Sequence, residues 1–87
     1  EIYYYAMAND INSTNAQAIT DLNNIKEANV CFVVSANVAN HPGVGDGLCF
    51  TYFFSSSSCL QEYKPINAGV YKKRWFLAGS WTAWTDI

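Results

Sequence analysis

The sequence predicts a small, mainly β domain: an antiparallel meander of about five strands behind an irregular N-terminal segment. Three observations predict it. After Asn29 the chain breaks into short runs rich in β-branched and aromatic residues, separated by turn residues. Those runs lie too close together for parallel crossovers, each of which takes about a dozen residues. The chain has 87 residues, 51% of them hydrophobic and 14% charged, which is enough for one core and too little for two.

The elements follow in chain order. Residues 1–20 are expected to be a connector from an upstream region, and residues 21–87 the β domain. The chain opens without Met, so it reads as an excised or processed piece of a longer polypeptide. Residues 2–7 have strand composition and are expected to pair with a neighbouring subunit or domain. From Asn9 to Asn29, Asn, Asp, Ser and Thr favour turns through side-chain to backbone bonding. Within that stretch residues 16–25 suit a short helical turn, with Ile19, Leu22 and Ile25 on one side. Strands are expected over 30–36, 48–54, 59–64, 70–77 and 81–87. Ser55 to Ser58 turns the second into the third, and Ala78-Gly79-Ser80 turns the last two. Residues 37–47 hold three of the five glycines and one of the two prolines, and form a surface loop.

Charge and motifs exclude several function classes. Seven acids against five bases leave −2, with no basic field to draw in nucleic acid or an anionic membrane. No run approaches the roughly 20 apolar residues that span a bilayer, so membrane insertion is not expected. Cys31, Cys49 and Cys59 show no Cys-x-x-Cys pair, and His41 is the one nitrogen partner in sight, so neither zinc nor any other cofactor is expected. Their apolar neighbours mark buried, reduced thiols, with a Cys49–Cys59 bridge across a hairpin as the alternative. Gly43-x-Gly45-x-Gly47 is followed by a strand rather than a helix, which argues against a phosphate cradle. The acids Glu1, Asp10, Asp21, Glu27, Asp46, Glu62 and Asp86 form no recognisable pair, and His41 has no marked nucleophile nearby, so the chain is read as non-enzymatic.

The run from Val70 to Ile87 carries an Arg-bearing strand, a Gly turn, Trp-x-x-Trp and a final aliphatic residue: Arg74, Gly79, Trp81, Trp84 and Ile87. Upstream stand Asp21-Leu22-Asn23-Asn24-Ile25, then Asn29-Val30-Cys31-Phe32-Val33-Val34-Ser35, then Asn40-x-Pro42-Gly43 with Gly45 and Gly47. Together these resemble the pyocin-knob-like domains of phage tail fibres and R-type pyocin fibres, over about three quarters of the chain. Asn29 stands where that family usually has Gly, Cys31 where an aromatic is usual, and Trp75 and Phe76 where polar residues are commoner. The resemblance implies a homotrimeric fibre in the virion tail, assembled in the bacterial cytoplasm beside other tail proteins. It also implies attachment to the host through a bacterial surface polysaccharide, with Arg74, Gly79, Trp81 and Trp84 as structural signature.

The residues themselves add detail. Trp81 and Trp84 have opposite parity, so a regular strand would put one in the core and leave the other over the sheet or the Arg74 guanidinium. Both share one face only where the chain bends or bulges. Tyr71, Lys73 and Trp75 fall on one face of their strand, and Lys72, Arg74 and Phe76 on the other. Sugar recognition needs aromatic faces beside hydrogen-bonding groups, which makes Trp75, Tyr71, Tyr63, Asn40, His41, Asp46 and Lys72 the candidates. The competing reading is a structural trimerisation or spacer domain, because the run Leu48 to Phe54 is apolar on both faces and needs cover on both.

Overall fold

Each of the five runs contributes to one antiparallel sheet in a computed structural model of the protein, which describes residues 19–67 and 69–87; the first leaves the sheet after Val33, and Ser35–Asn37 form a 3-10 turn. The strands are β1 (Asn29–Val33), β2 (Gly47–Ser55), β3 (Ser58–Pro65), β4 (Lys72–Leu77), β5 (Ser80–Trp81) and β6 (Thr85–Asp86). They run β1-β2-β3-β4-β5 across the sheet, with β6 also beside β4. The expected strand over residues 2–7, and nearly all of the connector, lie outside the described residues.

Turn chemistry fixes the reversals. Ala78 and Gly79 both take positive φ, 51° and 83°, as a two-residue hairpin between β4 and β5 requires. At the β2–β3 turn, Ser57 N donates to Ser55 Oγ, and Phe54 is the extra residue of a bulge. The expected helical turn is a single 3-10 turn, Leu22–Asn24, capped by Asp21, whose carboxylate accepts from Asn23 N at 2.8 Å. Leu22 and Ile25 are buried, and Ile19 packs against them.

Alternation divides the sheet into two unlike faces. Three rungs cross the inner face: Cys31, Cys49, Tyr63 and Lys72; Asn29, Thr51, Gln61 and Arg74; and Phe53, Cys59, Phe76 and Trp81. The segment around the 3-10 turn and the loop after β1 close over this face with Leu22, Ile25 and Val38. A lone parallel bridge, Asp21↔Ala39, ties those two covers together through Leu22 N to Ala39 O and Ala39 N to Thr20 O.

One expectation, and the alternative to the reduced thiols, are corrected by the register. The strand expected over 81–87 is interrupted: from Phe76↔Trp81 to Lys73↔Thr85, β4 advances three residues while its partner advances four. The extra residue is a β-bulge, and it resets parity so that Trp81 and Trp84 lie on the same face, in place of one in the core and one outside. The Cys49–Cys59 bridge is excluded by register. Cys49 stands opposite Cys31 and Tyr63, whereas Cys59 lies four residues along β3 from Tyr63, about 13 Å away on an extended strand. That is beyond disulfide reach, and all three thiols are free and buried.

Candidate functional site

The middle inner rung is polar, and it organises the sheet's C-terminal edge. Gln61 is fully buried; its Nε2 donates to Leu22 O at 2.9 Å and to Thr51 Oγ1 at 3.3 Å. Its Oε1 accepts from Arg74 Nε at 2.9 Å. The Arg74 guanidinium carbon then lies 3.7 Å from the Trp81 ring centre and 4.7 Å from that of Trp84. This double stack is what the bulge makes possible. Burial pushes the Arg74 pKa down to about 10, the sign of a charge held out of water, and its Nη2 is buried without a partner among the described residues. Trp84 is anchored in turn, with Nε1 donating to Asn40 O at 3.0 Å and its ring edge-on to Tyr63.

The outer face has a different chemistry. Phe32 pairs with Leu48, Leu60 with Trp75, and Phe54 meets Trp75 edge to face at 6.0 Å. Phe32, Leu48, Phe54, Trp75 and Leu77 are 36–59% exposed, so large apolar side chains meet solvent along this face. The register also places Glu62, Lys64 and Lys73 on this face, and Lys64 lays its ammonium 4.6 Å over the Phe50 ring and 5.9 Å over Tyr71.

The residues expected to bind sugar are dispersed. Trp75 and Tyr71 are exposed on the outer face. Tyr63 departs from its expected role: it is fully buried on the inner face, its hydroxyl donates to Gly45 O at 2.7 Å, and burial raises its pKa to about 12. Alternation along β3 sends Cys59, Gln61 and Tyr63 inward together, so this ring belongs to the core. Asn40, His41 and Asp46 shape the loops. Asn40 sits at φ 64° and donates from Nδ2 to Asp21. That bond, followed by the one from Asn23 N, holds the Asp21 carboxyl below its ordinary pKa. His41 Nδ1 accepts from Gly43 N, and Asp46 accepts from both the amide and the hydroxyl of Ser35. Lys72 pairs with Asp86 at the sheet edge.

Of the structural signature, Arg74, Trp81 and Trp84 converge in one cluster, and Gly79 makes the turn that returns Trp81 to it. Gln61, which joins Arg74 to Leu22 O, was not among the residues the sequence marked. The available signal was a polar side chain in phase with Cys59 and Tyr63. Compared with family models, with curated proteins and with solved structures, the chain matches none.

Proposed function

We propose that this domain is a non-enzymatic knob of a homotrimeric fibre of the phage-tail type. It assembles through its outer sheet face and attaches to a bacterial surface glycan. The observation that carries the reading is the exposure of Phe32 and Leu48 at one end of the outer face and of Phe54, Trp75 and Leu77 at the other. Transferring such a face out of water is worth about 25 cal/mol per Å² of apolar area, which favours association between copies. The ordered inner side, with its polar loops, is left to face the host. Three weak sites on one trimer would reinforce each other, since the second and third contacts are made at high effective concentration.

Labelled chain incubated with a panel of bacterial strains tests attachment, with and without prior periodate oxidation of cell-surface vicinal diols. The proposal expects binding to some strains that periodate abolishes. Binding that survives periodate, or none to any strain, contradicts the glycan half of the reading. The same exposed face also favours the spacer reading, which predicts assembly without any cell binding.

A further inference from the structure

A cavity of about 260 Å³ opens on the inner side of the sheet, beneath the β2–β3 turn and beside the Leu22–Asn24 turn. It is smaller than the roughly 300–1,000 Å³ pockets that take drug-sized ligands, and suits a single ring. Its walls combine two kinds of group. Trp81 and Phe76 supply aromatic surface, tilted at 46° with centres 4.9 Å apart. Asn23, Ser56, Ser57 and Lys26 supply hydrogen-bonding groups.

Two features of these walls favour a ligand over a merely structural hollow. The Asn23 side-chain oxygen is buried without a partner among the described residues, which leaves an acceptor for a ligand hydroxyl. The charge balance is positive. Lys26 is the one charged residue among the described lining, and the Trp81 ring is backed by Arg74, to which no described carboxylate bonds.

We propose that this cavity holds an acidic pyranose, with its C–H face against Trp81 and Phe76, its carboxylate at Lys26 and its hydroxyls at Asn23, Ser56 and Ser57. The choice of a sugar rests on the attachment reading above; the place and the charge preference rest on the cavity. The site is separate from Trp75 and Tyr71, which lie on the opposite face of the sheet.

Nitrogen-15 NMR of the full chain, titrated with methyl β-D-glucuronide and with methyl β-D-glucoside, tests it, because Trp75, Trp81 and Trp84 give three separate indole signals. The glucuronide is expected to move the Trp81 indole and the Ser56 and Ser57 amides while Trp75 stays still. It should bind about threefold tighter than the glucoside, the worth of one solvent-exposed ion pair, and Lys26→Ala should erase that preference. Asn23→Ala should weaken binding about fivefold, the worth of one hydrogen bond, with the thermal midpoint unchanged or raised. Equal affinity for the two sugars, movement of Trp75 in place of Trp81, or no movement with either overturns the inference. Periodate-sensitive cell binding with a silent Trp81 would overturn this site and leave the attachment reading standing. A responsive Trp81 without cell binding would do the reverse.

Discussion

Arg74 is held by contacts that leave its charge uncancelled: one bond to Gln61 and two indole faces. Arg74→Ala would strand the Gln61 oxygen and unstack both rings, at a cost of about 3 kcal/mol by urea denaturation. Arg74→Lys should recover little of that, since an ammonium lacks the flat surface both rings use. Gly47 is constrained by space and not by backbone angle. A methyl there would sit 2.6 Å from Lys64 O, 2.8 Å from Pro65 Cα and 2.8 Å from the Tyr63 ring. Gly47→Ala should therefore destabilise by about 2 kcal/mol, read by the same method. Ala78 carries the opposite opportunity. Its φ of 51° costs an alanine about 1 kcal/mol, so Ala78→Asn should raise the thermal midpoint, because Asn tolerates that region.

At the scale of elements, the β5–β6 bulge is the feature on which the Arg74 stack depends. Thr82 stabilises it from both sides: its amide donates to Trp75 O at 2.8 Å, and its hydroxyl accepts from Trp75 N at 2.9 Å. Thr82→Val keeps the shape and removes the acceptor, and should cost about 1 kcal/mol in urea denaturation. The strands themselves were legible, because β-branched and aromatic runs such as Leu48 to Phe54, ended by Ser or Gly, have few other ways to fold. The bulge was not, since nothing local marks the inserted residue and only pairing against β4 defines it. The same gap misplaced Tyr63, whose aromatic composition suits either face until the register with Cys49 sends it inward. The cavity residues Asn23, Lys26, Ser56 and Ser57 read as plain turn residues, and only the folded chain gathers them.

At the scale of the whole molecule, the sheet buries one face under its own loops and turns large apolar groups of the other toward solvent. The buried face has a consequence at alkaline pH. Burial raises the pKa of Cys31 to about 11 and that of Tyr63 to about 12, and pushes Cys49 and Cys59 upward as well. Each favours its protonated form when folded, so the unfolded chain releases these protons first. Their contribution to stability is complete about a unit below the ordinary thiol value of 9 and declines from there as pH rises. Urea midpoints at pH 7, 8 and 9 should stay nearly level in the first interval and fall in the second, before Arg74, with its pKa near 10, acts strongly with the opposite sign, and Cys49→Ala should make that fall shallower. The exposed face bears on the central claim, that this domain works by assembling with copies of itself. Light scattering of the 87-residue chain across a concentration series tests this most directly. The mass of a trimer is expected, reduced to that of a monomer by Trp75→Lys; a monomer at every concentration would contradict assembly through this face.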